Sequence, residues 1–154
     1  MKRLVAWVAL ALLCTGFAPG LAGEGENLAG TWLTAAGDAK IQVGSCDASL
    51  CGVIVWLKNP IDPTTGKPQI DDKNANKALA KRPIIGLNIF SAMRPDGNKW
   101  SGKIYNADDG KTYSSELHLA GARKLEVRGC VLSFLCGGET WTKVNEVNVA
   151  SANQ

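Results

Sequence analysis

Between residues 28 and 145 the chain keeps returning to one pattern: a short run of alternating or β-branched residues, closed by Gly, Asp or Asn. Period-two alternation marks a strand with one buried face. In Ala39–Gly44, the positions Ala39, Ile41 and Val43 alternate with Lys40 and Gln42. Lys99–Tyr105 sets Trp100, Gly102 and Ile104 against Lys99, Ser101 and Lys103. Lys111–Leu119 sets Tyr113, Ser115, Leu117 and Leu119 against Thr112, Ser114, Glu116 and His118. Leu28–Ala35, Cys51–Lys58, Ile84–Phe90, Leu125–Val131 and Glu139–Asn145 complete the series. Turn clusters separate them at Gly37-Asp38, Arg94–Asn98, Asn106–Gly110 and Gly137-Gly138. About eight short strands at near-regular spacing predict an all-β fold, an antiparallel barrel or sandwich.

One segment breaks the rhythm. Asn59–Pro83 carries Pro60, Pro63, Pro68 and Pro83, which forbid a central strand. Asp72–Lys81 has helix formers behind an Asp cap, and Pro83 ends the stretch, so a short helix is expected there. A connection this long in so small a domain is either a lid or binding loop, or a solvated excursion.

The first residues have the form of an export signal. Lys2 and Arg3 precede the apolar run Leu4–Leu13, which is too short to anchor in a bilayer. Gly20-Leu21-Ala22 presents small residues where a signal peptidase cuts, so residues 1–22 read as a signal peptide and 23–154 as one β-barrel domain. Leu13 before Cys14 is too bulky for a lipidation site. Cleavage leaves four cysteines, Cys46, Cys51, Cys130 and Cys136, and an even count in an exported chain reads as a disulfide framework. Cys46 and Cys51 flank a loop and can bridge locally. Cys130 and Cys136 lie about 20 Å apart along a straight strand, whereas a disulfide needs Cα atoms within about 7 Å. Either the chain reverses between them, or each pairs with one of the first couple. Gly129 and Gly137-Gly138 favour the reversal, hence Cys46–Cys51 and Cys130–Cys136.

With 17 basic and 14 acidic residues and no Lys/Arg block, the chain gives no electrostatic case for nucleic acid, and no second apolar stretch is long enough for an integral membrane protein. His118, the single histidine, lies among polar residues without a Gly-x-Ser-x-Gly elbow and reads as a surface side chain. Cys/His zinc spacing is missing. Asn106–Gly110 has an oxygen-rich spacing, but Lys111-Thr112-Tyr113 supplies no further acid, so a hairpin turn is expected rather than a calcium loop. Asp71-Asp72 stand beside Lys73 and Lys77, which favours capping and ion pairing over acid–base chemistry. No metal, no cofactor and no catalytic residue are expected, and the chain reads as something other than an enzyme.

Gly30-Thr31-Trp32 opens the first strand, a Gly-x-Trp feature shared by lipocalins and their relatives. There the Trp closes one end of the barrel against a basic side chain from the last strand, a role open here to Lys143 in Trp141-Thr142-Lys143. Other blocks are more specific: Cys51-Gly52-Val53-Ile54-Val55-Trp56-Leu57, Asp71 to Asn74, Arg82-Pro83-Ile84-Ile85-Gly86-Leu87, Trp100-Ser101-Gly102-Lys103-Ile104-Tyr105 and Asp109-Gly110-Lys111-Thr112-Tyr113. In this order the chain resembles the bacterial domain-of-unknown-function family 2147. The resemblance implies an exported bacterial protein with a lipocalin-like (calycin-like) up-and-down β-barrel, and no established activity. Lys143 replaces the Arg that the family pattern favours, which removes a bidentate contact.

Two functions follow as expectations. In the first, the periplasmic or secreted protein binds a small, partly apolar molecule at the open end of its barrel. Trp56, Tyr105 and Tyr113 are then expected near the ligand, with the Asn59–Pro83 loop above it bearing Asp71 and Arg82, and Gly30, Trp32, Trp141 and Lys143 in structural roles. In the second, the barrel is filled and the protein serves structure or interaction in the cell envelope.

Overall fold

A computed structural model describes residues 28–131 and 135–144. The proposed leader, Cys14 and the Ala22 cleavage site lie outside these residues. Eight antiparallel strands, β1 (Gly30–Leu33), β2 (Ala39–Cys46), β3 (Ser49–Leu57), β4 (Phe90–Asp96), β5 (Lys99–Asn106), β6 (Lys111–Gly121), β7 (Lys124–Val131) and β8 (Leu135–Val144), pair in chain order. The sheet closes when β1 pairs with β8, Trp32 opposite Lys143. This is the expected all-β up-and-down barrel. Closure leaves no long sheet edge exposed.

The two ends differ. At the end where β1 begins, Trp32, Val43, Leu50, Met93, Leu117 and Leu125 are buried and fill the interior. Lys143 Nζ stands 5.3 Å from the Trp32 ring, and the Trp32 indole donates to the Leu28 carbonyl at 2.9 Å. Glycine suits this position because its φ is 135°, a backbone conformation that side-chain-bearing residues rarely adopt, and a Cβ would also displace the Lys143 side chain, whose Cε lies 2.6 Å from where it would stand. Trp32, Gly30 and Lys143 thus meet at this end of the barrel. Trp141 is also buried, with its ring 6.1 Å from that of Phe90. The opposite end carries the β1–β2, β5–β6 and β7–β8 turns and the long β3–β4 connection.

Both disulfides are local, as the glycine flanks favoured. Cys46–Cys51 spans the β2–β3 hairpin at the filled end, with Cα atoms 5.6 Å apart. Cys130 and Cys136 face each other directly across β7 and β8, with Cα atoms 4.0 Å apart, so the chain does reverse between them.

Four expectations about elements need correction. Gly137-Gly138, expected as a turn before a last strand at Glu139, lie within β8, which begins at Leu135, and the chain reverses before them. The fourth strand is Phe90–Asp96 rather than Ile84–Phe90. Ile84, Leu87 and Ile89 are apolar because they are buried, but the chain turns at Gly86 (φ 94°), and this stretch meets β3 through irregular bonds such as Ile54 N to Leu87 O. Arg94 and Pro95, expected in a turn, lie within β4. Pro95 is tolerated because the β3–β4 ladder consists of the single pair Leu50 and Met93, so no ladder bond is lost on that side. The Asp72–Lys81 helix is absent, replaced by successive turns in which Asn74 and Asn76 side chains accept from backbone N–H groups two residues on. Asn and Asp compete with helix formation in this way.

Candidate functional site: a cavity at the open end of the barrel

The long connection is folded rather than loose. Ile61 bridges Pro68, and Asp62 anchors the loop between them by accepting from Thr64 N and the Thr65 hydroxyl. A second loop closes where Ile70 bridges Pro83 and Asp71 N donates to the Arg82 carbonyl. Inside this loop lies Asp71, fully buried. Its carboxylate accepts from the Tyr105 hydroxyl at 2.6 Å, from Asn74 Nδ2 at 2.8 Å and from Arg82 Nε at 3.0 Å, with Arg82 Nη2 at 2.9 Å. Burial alone would raise the Asp71 carboxyl, but the bonds from Tyr105, Asn74 and Arg82 prevail and hold it below its ordinary value. Burial and the bond to Asp71 push the Tyr105 phenol up. Arg82 also stands over the Tyr105 ring, 5.7 Å from its centroid.

This cluster is a clasp that fixes the connection to β5. A second fastening lies at Gly110, in the β5–β6 turn, whose missing Cβ would fall 2.0 Å from the Lys73 carbonyl oxygen. Asp72 takes no part in the clasp: it is exposed and pairs with Lys73 at 3.3 Å, so the two adjacent acids form no joint site. The expected hairpin turn at Asn106–Gly110 is present, closed by Gly110 N to Asn106 O at 2.9 Å. His118 is half-buried beside Glu126. Among the described residues no group of His, Cys, Asp and Glu could hold a metal.

Beneath the connection the open half of the barrel holds a cavity of about 680 Å³, within the 300–1,000 Å³ range of small-molecule sites. Ile41, Ile54, Val127 and Trp141 form its apolar depth, and Ile104, Tyr105 and Tyr113 one side. The connection contributes Asn59 and Gln69, with Ile84 and Ile89 just beyond. Thr34, Asp38, Asn106, Asp108 and Glu139 stand among the polar residues.

The cavity exists because one rung of the barrel carries no side chains on two neighbouring strands. Gly129 and Gly137 lie opposite each other across β7 and β8 and both line the cavity, whereas the same rung at Gly102 is filled by the β4 backbone, with Met93 Cα 2.7 Å from where a Cβ would stand. A Cβ on Gly137 would meet nothing within 4 Å, and one on Gly129 would only touch Tyr113 and Ile104. The sequence reading took Gly129 and Gly137 for a chain reversal. The signal for a hollow was the alternation Leu125, Val127, Gly129, in which the third inward position is empty. Asp38, Asn74 and Asp108 were also missed, since polar residues in turns carry no periodicity, and so was Glu139, a charged residue on the inner face of β8 opposite Val127.

Of the expected ligand-binding residues, Tyr105 and Tyr113 line the cavity. Asp71 and Arg82 do not: they are saturated by each other, Asn74 and Tyr105. Trp56 is a correction. It lies on the outer face, exposed, with Lys40 Nζ 4.9 Å from its ring. The cause is a bulge: Lys40 pairs with Trp56 but Ile41 pairs with Ile54, so Val55 is skipped and the inside–outside phase flips. Ala39 and Leu57 face the cavity instead.

Comparison with solved structures finds protein HP1028 from the human pathogen Helicobacter pylori, described as belonging to the lipocalin family. The two chains share 20% identity at a TM-score of 0.64, over 77% of this chain and 84% of the other, a likeness of fold. No curated protein matches the sequence. The profile described as uncharacterized protein conserved in bacteria (DUF2147) matches residues 30–143, from Gly30 to Lys143. With most of its length matched, this chain belongs to the DUF2147 family of bacterial proteins.

Proposed function

We propose that this protein is exported to the periplasm and there binds one small, partly apolar molecule in the open half of its barrel, without acting on it chemically. The observation that carries this reading is the cavity of about 680 Å³ with an apolar depth and a polar mouth. An eight-stranded barrel is normally just filled by its side chains or holds one small ligand. Here the end at Trp32 is filled and the glycine-walled end is not, which speaks against the filled-barrel, envelope-interaction alternative. The clasp at Asp71 supports a role for the Asn59–Pro83 connection as a fixed cover of the mouth. Export is supported by Lys2 and Arg3 before the apolar run Leu4–Leu13, and by two disulfides, which persist in oxidising compartments.

Native mass spectrometry of the protein purified from its own periplasm tests this reading. A single small molecule retained in the folded state and released on denaturation is the expected result. A bare polypeptide mass in repeated preparations would favour the envelope-interaction alternative.

A further inference from the structure

We infer that the open end of the barrel docks on the surface of a bilayer bearing anionic phospholipid. The outer face of the Asn59–Pro83 connection makes the contact, its isoleucines entering the headgroup boundary and its lysines meeting the phosphates. The inference goes beyond the binding reading above and holds whether or not the cavity carries a ligand.

The connection is a miniature sheet with two unlike faces. Asp62 N donates to the Lys67 carbonyl at 2.8 Å and Gln69 N to the Pro60 carbonyl at 2.9 Å, which sets Ile61 directly opposite Pro68. Asp71 N donates to the Arg82 carbonyl and Ile84 N to the Gln69 carbonyl, each at 3.0 Å, which sets Ile70 opposite Pro83 in the same way. Directly opposed residues share a face, with Cβ atoms about 4.5–5.5 Å apart. Pro68 and Ile70 are two steps apart on the middle segment and so share that face too. Ile61, Pro68, Ile70 and Pro83 therefore stand side by side. Burial agrees with this phase. At the alternate positions Asp71 is fully buried and Gln69 and Ile84 line the cavity, whereas Ile61 and Ile70 are 48% and 44% exposed.

This face belongs to a wider asymmetry. Among the described residues, every large apolar side chain that is exposed lies at the open end. The connection and the turn after it carry Ile61, Ile70, Leu79 and Ile85. Val55 and Trp56 stand where β3 enters the connection, and Val131 faces Leu135 across β7 and β8. Scattered singly such side chains mean little, but gathered at one end they mark a contact surface. Charge then selects the partner. Residues 58–85 carry six basic and three acidic side chains, leaving eleven of each for the rest, so the net charge of +3 resides on this segment. Arg82 is committed to Asp71 and Lys73 to Asp72. Lys58, Lys67, Lys77 and Lys81 are exposed, and no ion pair among the described residues holds them. The acids Asp38, Asp108 and Asp109 of this end stand on the β1–β2 and β5–β6 turns, not on the connection. A second copy meeting this face symmetrically would set lysine against lysine. Phosphate headgroups over acyl chains supply both the opposite charge and an apolar boundary.

The test is co-sedimentation of the full-length mature protein with large vesicles. Vesicles of phosphatidylglycerol and phosphatidylcholine in equal parts should bind the protein about ten-fold more tightly at low salt than phosphatidylcholine alone, because each lysine near an anionic surface adds attraction. The difference should shrink as salt rises. Two double variants, Ile61→Ser with Ile70→Ser and Lys67→Gln with Lys81→Gln, should each weaken binding to the anionic vesicles about ten-fold. Lys124→Gln, at the opposite end of the barrel, should leave it unchanged. Without vesicles, all three variants should take up the neutral probe Nile red as the unmodified protein does, which keeps failure of docking apart from failure of the cavity. If the serine variant does not fold, the lysine variant and the salt titration decide. Absence of binding to the anionic vesicles, equal binding to both vesicle types, or an equal loss in Lys124→Gln overturns the inference. Self-association in place of vesicle binding also overturns it and assigns the face to a second copy.

Discussion

At the scale of the residue, Asp71 shows most clearly how a side chain can be essential without meeting a ligand. Its carboxylate is buried at the centre of a clasp made by Tyr105, Asn74 and Arg82. Tyr105→Phe removes one bond to that charge and should cost about 1.5–3 kcal/mol in urea unfolding. The pH dependence has a definite sign. A carboxyl held below its unfolded value, about 3.9, contributes stability that is present above that pH and lost as pH falls through the lower folded value. Asp71→Asn should therefore lower stability near neutrality and flatten its decline below about pH 4, read from denaturation midpoints across pH. Trp56 is the opposite case. It is exposed beneath Lys40, outside the cavity. Trp56→Ala should shift stability by no more than about 1 kcal/mol and leave probe binding unchanged. Loss of binding in that variant would contradict the phase flip at Val55.

At the scale of the element, the legible parts of the fold were those with strong periodicity. β2, β5 and β6 were marked by alternation, and the Gly37-Asp38 and Asn106–Gly110 turns beside them by Gly with Asp or Asn. The errors share a cause: a local pattern overridden by a neighbour. Ile84–Phe90 is as apolar as a strand because it is buried, yet Gly86 turns it. Asp72–Lys81 contains helix formers, but Asn74 and Asn76 bind their own backbone and Asn74 is drawn into the clasp. The bulge in β3 moves Trp56 outside, and no residue type at Val55 announces it. The two disulfides belong to elements at opposite ends, and this gives a paired prediction. Replacing either pair by serine should cost about 2 kcal/mol in the chain-entropy model. Loss of Cys130–Cys136, beside the mouth, should also weaken probe binding, whereas loss of Cys46–Cys51 should not. Equal effects on binding would mean that the β7–β8 hairpin does not shape the site.

At the scale of the whole molecule, one barrel is divided into a filled half and a hollow half. The filled half was foreseeable from Gly30, Trp32 and Lys143 only through their resemblance to the Gly-x-Trp feature of lipocalins, whose Trp closes one end of the barrel. The hollow half depends on glycines that lie opposite one another only after the register is fixed, which no single stretch of sequence displays. Gly137 is the most informative of them. It has no positive φ, and a Cβ there would enter open space. Phenylalanine is also a favourable strand residue. Gly137→Phe should thus fill the cavity without loss of stability. The most direct test of the central claim is a fluorescence titration with the neutral dye Nile red on the unmodified protein and Gly137→Phe side by side, with thermal unfolding of both. The account predicts saturable binding of one dye per unmodified protein, and at least a ten-fold loss of affinity in a variant whose melting temperature is unchanged or raised. Equal dye binding by two equally stable proteins would contradict it.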